Sequence, residues 1–471
     1  MPRTKIVCTL GPASRHTFTL RSMIRAGMNV ARLNFSHGTH AEHRATIRKL
    51  RRLSGEEGCP IAILADLAGP KFRLGKVRAG EGLREGRKVR IVSHPLLGTA
   101  DRLSLNRPEL IPQLVKGHRL MIWDGKIQLE VLTPGKEEAL CRVVVGGSLK
   151  DGAGVNLPDT SLDIPPLTEK DLLDIAFGVK EGVDFFGFSF VRTKADVELC
   201  RKEITARNGA VPIIAKMEMR EAVENLEEII QAADGVMVAR GDLGIETPLE
   251  RVPMVQKRMI ASANRHGKPV ITATEMLLSM VTAARPTRAE AGDVANAILD
   301  GTDAVMLSEE TAMGRNPAAV IRTMARIAEV TEAGMFETSP RRMLRPDLRE
   351  RGLAHAIAHT AAVLADELEA ALIICPTDSG DTPRRVALHR PRQQVLAISV
   401  SEKTVRRLAL SWGVIPWKIP RRLPPGQIVT EFRERIIEEK LGQPGEYAIL
   451  TAGFPFGVKG AQGRILQTEV L

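Results

Sequence analysis

Eight short β-rich runs alternate with helical patterns, a long β-rich segment interrupts them after the third run, and a second α/β pattern follows the eighth. Together they predict an α/β protein: a (β/α)8 TIM barrel with an inserted β-barrel lid domain and a C-terminal α/β domain. The runs are 6–10, 29–35, 61–66, 184–190, 212–218, 235–240, 269–274 and 304–308. Each is largely apolar, the composition of strands covered on both faces of a parallel sheet. Helical segments lie between them at 18–26, 172–180, 221–232 and 288–299. Gly27, Gly182 and Gly301 stand near their ends, where a left-handed residue stops a helix. Eight parallel strands with no unpaired edge require a closed barrel.

The interruption follows Asp66, where the next barrel helix is due. Segment 71–165 instead carries β runs at 88–92, 119–122, 127–132 and 139–145, separated by Gly-containing turns. It is bounded by Gly69-Pro70 and Pro165-Pro166, joints that can act as hinges. The barrel is therefore assigned to 1–70 and 166–338, and the lid to 71–165. Residues 339–471 form the C-terminal domain. It opens on an Arg/Pro-rich stretch, 340–353, continues in a helix at 354–366, and has strands at 371–375, 395–399, 414–419 and 447–452.

Composition bounds the function classes. The chain has 471 residues, 44% hydrophobic and 26% charged, enough apolar material for several cores. The net charge of +11 comes from 67 basic residues interleaved with 56 acidic ones, a diffuse excess that specifies no nucleic acid partner. No apolar run approaches the roughly 18 residues of a membrane span, and the N-terminus lacks a signal-peptide core. No membrane partner is expected, and the cytoplasm is the expected compartment. Five cysteines with no CxxC pair suit a reducing environment.

A barrel of this kind builds its active site at the C-terminal ends of its strands. The polar residues collected there are Arg32, Asn34 and Ser36, then Asp66, Ser189, Lys216 and Glu218, then Arg240, Gly241, Asp242, Thr274, Ser308 and Glu310. Strand alternation puts Lys216 and Glu218 on one face, and likewise Arg32 and Asn34. Glu218 and Asp242, without a nearby Cys or His, suit a hard cation such as Mg²⁺. Lys216 and Arg32 add positive charge to the same cavity. Metal, Lys and Arg together are suited to phosphoryl transfer, a reaction catalysed mainly by positioning and charge neutralisation. The amides of 241–244 offer an anion nest. His37, His40 and His43 are read as belonging to a basic helix opened by a Thr39–Glu42 capping box rather than as metal ligands. Met276 and Met280 are read as core.

These residues lie in longer motifs that resemble pyruvate kinase over essentially the whole chain. They are KIVCTLGPAS (5–14), NVARLNFSHG (29–38), IIAKME (213–218), VARGDLGIE (238–246), ITATEML (271–277), RPTRAEAGDVANAILDG (285–301) and LSEETAMG (307–314). The resemblance implies Mg²⁺-dependent (or Mn²⁺-dependent) transfer of phosphoryl from phosphoenolpyruvate to ADP, in a homotetramer. It implies that Lys216 stabilises or protonates at the enolate and that Glu218 and Asp242 hold the metal. Arg32 and Ser189 would take the phosphate, and Thr274 with the Gly241 and Asp242 amides the substrate carboxylate. Another pyruvate-handling metal barrel, such as an aldolase or lyase, is disfavoured by the lid and by Arg32 with Ser189. A non-catalytic RNA-associated relative is disfavoured by Lys216, Glu218 and Asp242.

Departures from the family pattern carry further expectations. Glu275 and Glu309 are added carboxylates, expected to point to the surface. Gly152 and Ala153 replace lid lysines, which leaves Lys150 and Arg73 as the nucleotide contacts. The loop Thr377, Ser379, Thr382 resembles an effector-phosphate loop, but Asp381 within it would repel a sugar bisphosphate; a sugar monophosphate or AMP is the expected effector. The stretch 66–73 reads DLAGPKFR. In K⁺-dependent members a glutamate stands at the place of Lys71, beside a cation site matching Asn34, Ser36, Asp66 and the carbonyl of Leu67. A tethered lysine ammonium there predicts activity without added K⁺.

Overall fold

The computed structural model describes residues 2–161, 163–338, 352–454 and 463–471. Eight parallel strands close into one barrel: Lys5–Thr9, Val30–Asn34, Ala62–Asp66, Phe185–Phe188, Ile213–Met217, Gly235–Ala239, Val270–Ala273 and Ala304–Leu307. Each pairs with its neighbours in sequence, and the last pairs with the first (Lys5 opposite Ala304). Nearly all strand residues are buried, because helices cover the outside while strand side chains fill the inside. The helix Glu169–Glu181 shows how local sequence sets the boundaries. Thr168 and Asp171 form a reciprocal capping box at its start, and Gly182 ends it at φ 68°.

The floor of the barrel carries a repeated device. Asn29, Asp184, Asp234 and Asp303 stand just before strands two, four, six and eight. Their side-chain oxygens accept from the amides of Ile6 (2.9 Å), Ile63 (2.8 Å), Ile213 (2.9 Å) and Val270 (2.9 Å), each on the preceding strand. Their own amides donate back to the carbonyls of the same four residues. Strands are thus stapled in pairs at the end opposite the active site, satisfying amides that would otherwise start a strand unpaired.

The segment after Asp66 folds as expected into a β domain. Strands Phe72–Arg73, Lys88–Val92, Arg102–Ser104, Arg119–Ile122, Ile127–Thr133, Glu138–Val145 and Gly154–Asn156 form a seven-stranded, mostly antiparallel sheet. Its outer strands meet through a Leu74–Leu105 bridge, so the sheet curls back on itself around its own apolar core.

The C-terminal domain is a five-stranded sheet flanked by helices. Four strands are parallel, and Tyr447–Phe454 pairs antiparallel with Gly463–Val470, a strand the sequence reading did not foresee. Helices Asp381–Ala387, Glu402–Leu408 and Pro425–Glu438 were likewise unread. The expected Arg/Pro-rich stretch 340–353 lies largely outside the described residues. This domain grips the barrel floor. Arg390 reaches Asp303 at 3.0 Å, Arg406 reaches Asp184 at 2.9 Å, and Lys5 Nζ donates to the Val414 carbonyl at 2.8 Å.

Candidate active site

The strand ends converge as strand alternation requires. Lys216 Nζ donates to Ser189 Oγ at 2.7 Å and lies 3.2 Å from Glu218 Oε2 and 3.5 Å from Asp66 Oδ1. Arg32 grips the other oxygen of Asp66, through Nε at 2.7 Å and also through Nη2, and reaches Thr9 Oγ1 at 2.9 Å. Asp66 therefore sits between the two cations from strands two and five.

Electrostatics fix the protonation states. Burial works against the Lys216 charge, but Asp66 and Glu218 outweigh it and hold the ammonium above the ordinary lysine value. Burial also opposes Asp66 ionisation, and Arg32 with Lys216 overcomes it, leaving Asp66 below the ordinary carboxylate range. Glu218 is pushed up by burial and by neighbouring Asp242, against the pull of Lys216.

Glu218 has one satisfied and one unsatisfied oxygen. Oε1 accepts from the Phe190 amide at 2.8 Å, whereas Oε2 is buried and accepts no well-directed hydrogen bond. That oxygen, 3.2 Å from Lys216 Nζ but without a well-directed hydrogen bond and near a second carboxylate, Asp242, fits a hard divalent cation. Mg²⁺ takes one or two protein carboxylates and completes its shell with water and substrate oxygens. Among the described residues there is no cluster of three or more His, Cys, Asp or Glu able to hold a metal.

Thr274 lies at the end of strand seven with φ 68°, and Glu275 follows at φ 54°, an uncommon pair of left-handed non-glycine residues. The Thr274 hydroxyl accepts from the Gly241 amide at 2.8 Å and donates to the Ala273 carbonyl at 2.6 Å. Gly241 and Asp242 lie in the first turn of the helix Arg240–Glu246. Glu275 and Glu309 are both exposed, as their surface orientation required.

Several residues are placed otherwise than expected. Ser189 is almost fully buried. Its hydroxyl donates to the Leu67 carbonyl at 2.7 Å while accepting from Lys216. Arg240 is turned away to Asp293 and to the Thr274 carbonyl, bracing that strained turn. Glu310 points back to the amides of Leu277 and Ser308. Lys150 Nζ sits 3.9 Å over the Trp123 ring, a cation–π contact within the lid. Arg73 donates to the Gly152 carbonyl, also within the lid. The histidines, by contrast, lie as read from the sequence, at the start of the helix His40–Glu56 opened by the Thr39–Glu42 capping box: His40 pairs with Asp174 and stacks on Phe177, and His43 meets the His37 carbonyl.

Asn34 accepts from the Ser36 amide at 3.0 Å, and Lys71 lies partly buried at the first hinge. Burial and Lys216 lower the Lys71 pKa, while Asp66, Glu218 and Asp242 oppose that shift, so its ammonium is within electrostatic reach of the whole cluster. Lys71, Arg73, Arg107, Lys170 and Ser36 line a cavity of about 300 Å³ beside the hinge. A second cavity, of about 820 Å³, opens beside Arg32 and Asn34 and is walled by Pro12, Ser14, His37 and Met313. It was not identified from the sequence, although the GPAS turn within the first motif forms part of its wall.

In the C-terminal loop, Thr377 Oγ1 accepts from the Gly380 amide and Ser379 Oγ from the Asp381 amide, while Thr382 lies on the helix that follows. Asp381 pairs with Arg385 at 2.8 Å and Asp378 with Arg422 at 3.0 Å.

A closed (β/α)8 barrel whose mouth gathers a charged lysine, an arginine and a half-satisfied carboxylate pair defines an enzyme that handles an anionic substrate. Comparison with known proteins identifies which one. Residues 1–321 match the family model described as pyruvate kinase, barrel domain, and residues 355–463 match pyruvate kinase, alpha/beta domain. The chain is 44% identical over 463 residues to pyruvate kinase of Geobacillus stearothermophilus, covering 98% of this chain and 79% of that one. It is 41% identical over 465 residues to pyruvate kinase of Mycobacterium tuberculosis, covering 98% and 97%. A crystal structure of a pyruvate kinase from Cryptosporidium parvum superposes with a TM-score of 0.92 at 34% identity, over 100% of this chain and 96% of that one. The chain belongs to the pyruvate kinase family. It is a phosphotransferase that moves the phosphoryl group of phosphoenolpyruvate to ADP, giving pyruvate and ATP in the last step of glycolysis. The family generally uses Mg²⁺.

Proposed function

We propose that Lys216 is the group on which this reaction turns, and that its neighbours divide the remaining work. The observation carrying this reading is the placement of its ammonium 2.7 Å from Ser189 and within 3.5 Å of two carboxylates, which keeps it charged in a buried site. A lysine held above its ordinary pKa is a poor proton donor and a good fixed charge. Lys216 therefore stabilises the enolate that forms as phosphoryl leaves, rather than supplying the proton itself. Arg32 takes the phosphate, and Ser189 acts through Lys216. The Thr274 hydroxyl gives up the Ala273 carbonyl to donate to the substrate carboxylate, beside the Gly241 and Asp242 amides.

Glu218 and Asp242 would hold Mg²⁺ or Mn²⁺, supported by the Glu218 oxygen that accepts no well-directed hydrogen bond. When bound, the ion neutralises charge developing on phosphoryl and enolate oxygens. Lys71 stands in for K⁺ at the place formed by Asn34, Ser36, Asp66 and the Leu67 carbonyl. Its electrostatic reach to Asp66, Glu218 and Asp242 supports that reading. The nucleotide's base end occupies the larger cavity, which adjoins Arg32 and Asn34.

The C-terminal loop binds a sugar monophosphate or AMP, since its two carboxylates disfavour a second phosphate. The protein works as a homotetramer in the cytoplasm. Exposed Leu249 and Met254 support self-association, and five unpaired cysteines suit a reducing compartment. The test of the reaction is a stoichiometric assay. Phosphoenolpyruvate and ADP should yield pyruvate and ATP one for one, and the yield should vanish when divalent metal is chelated.

A further inference from the structure

Phe190 is the residue at which the lid's hinge and the carboxylate site meet. It follows Ser189 at the exit of strand four, with φ 58°. An aromatic residue in that region is strained, and persists only where its surroundings over-determine it. Two sets of contacts hold it. Its amide donates to Glu218 Oε1 at 2.8 Å, the sole well-directed bond that carboxylate accepts among the described residues.

Its ring lies against the hinge. A Cβ placed on Gly69 would stand 2.6 Å from Phe190 Cδ2, so the Gly69 backbone is packed directly on the ring. Phe72, which opens the lid, has its ring centroid 6.5 Å from that of Phe190. The hinge is itself tied down. Asp171 accepts from the Gly69 amide at 3.1 Å through one oxygen and from the Thr168 amide at 2.9 Å through the other, so one buried carboxylate binds both lid connections.

We propose that Phe190 is a positioning residue that couples the lid hinge to Glu218. Rotation of the lid about residues 69–72 slides Gly69 and Phe72 across the Phe190 ring. That ring is continuous with a strained backbone whose amide sets the Glu218 oxygen. Movement at the hinge is therefore felt at the carboxylate, and a cation drawn to Glu218 is felt at the hinge. The inference rests on Glu218 being a metal ligand, and the experiment separates the two claims.

The probe is Mn²⁺ alone, with its affinity read by electron paramagnetic resonance and the hinge by hydrogen exchange of peptides covering 66–74. In the parent, Mn²⁺ should slow hinge exchange at least threefold. In Phe190→Leu, which keeps the amide but changes the ring, Mn²⁺ should still bind within about fivefold of the parent affinity while the slowing is lost. Gly69→Ala, which sets a side chain at φ 64° and presses its methyl group onto the ring and toward Ser189 Cβ without touching either carboxylate, should weaken Mn²⁺ at least fivefold. Unchanged slowing in Phe190→Leu, unchanged affinity in Gly69→Ala, or a parent hinge indifferent to Mn²⁺ would each overturn the coupling. Glu218→Gln reports on the ligand claim by itself: unchanged Mn²⁺ affinity there would remove the metal reading, and the coupling with it.

Discussion

Asn156 of the lid donates a hydrogen bond of 3.1 Å to Glu246, a buried carboxylate on the helix Arg240–Glu246 of the barrel. The bond joins the lid to the helix that carries Asp242. The burial of Glu246 also gives the protein a distinctive pH dependence.

Burial pushes Glu246 up to about 7; the Asn156 bond opposes that shift and the charges of Glu221 and Asp242 add to it. A carboxylate raised in the folded state stays neutral there while its unfolded counterpart ionises. Stability is thus fully present below the unfolded pKa and falls as pH rises from about 4.5 to 7. Glu246→Gln should abolish this component. The variant should gain up to roughly 3 kcal/mol on the parent at pH 8 and almost nothing at pH 4. Urea unfolding of both proteins at the two pH values measures the difference; a gain equal at both would contradict the assignment.

Lys71 yields a second expectation. Turnover in sodium- and potassium-free buffer, with an organic cation as counter-ion, should be most of that seen with K⁺. Lys71→Glu should acquire K⁺ dependence, because the tethered charge is then replaced by a carboxylate needing a free ion. A parent that requires K⁺, or a variant indifferent to it, defeats the idea.

At the barrel floor, two similar arginines should behave differently. Arg390 and Asp303 are both buried, and removing Arg390 leaves Asp303 without its cation. Asp184 keeps Arg51 at 2.7 Å when Arg406 is lost. Arg390→Ala should therefore cost about 3–5 kcal/mol and Arg406→Ala about 1–2 kcal/mol. Equal losses in urea unfolding would show that the C-terminal domain is not anchored through Asp303.

Regulation follows from the C-terminal loop. With Asp378 and Asp381 beside Thr377 and Ser379, micromolar fructose 1,6-bisphosphate should change the apparent affinity for phosphoenolpyruvate less than twofold. Asp381 is half-neutralised by Arg385, so Asp381→Ser should raise the response only modestly. Strong activation of the parent at those concentrations would refute the expectation.

Strand positions could be read because each barrel strand is a short, largely apolar run, and closure follows from their number. Lys216 and Glu218 could be placed on one cavity because strand alternation has one solution. What each side chain then touches is a property of the fold. Ser189 is held by Leu67, a residue 122 positions away, and Lys150 is captured by Trp123 across a lid turn. Neither partner is implied by local sequence. Glu310 resembles a site carboxylate in spacing but spends one oxygen on the Leu277 amide, at the end of the turn after strand seven, and the other on the Ser308 amide. The strand Gly463–Val470 was missed because it is an edge strand bearing Arg, Gln and Glu, with a weak apolar alternation.

The central claim is that the Lys216 ammonium supplies transition-state charge without holding the metal. Its most direct test measures turnover and Mn²⁺ affinity together in Lys216→Met and Asp242→Ala. The account predicts that Lys216→Met loses roughly 10²–10³-fold or more in turnover while Mn²⁺ affinity stays within about threefold, and that Asp242→Ala loses Mn²⁺ affinity. Turnover within tenfold of the parent in Lys216→Met, or an equal collapse of metal affinity in both variants, would contradict it.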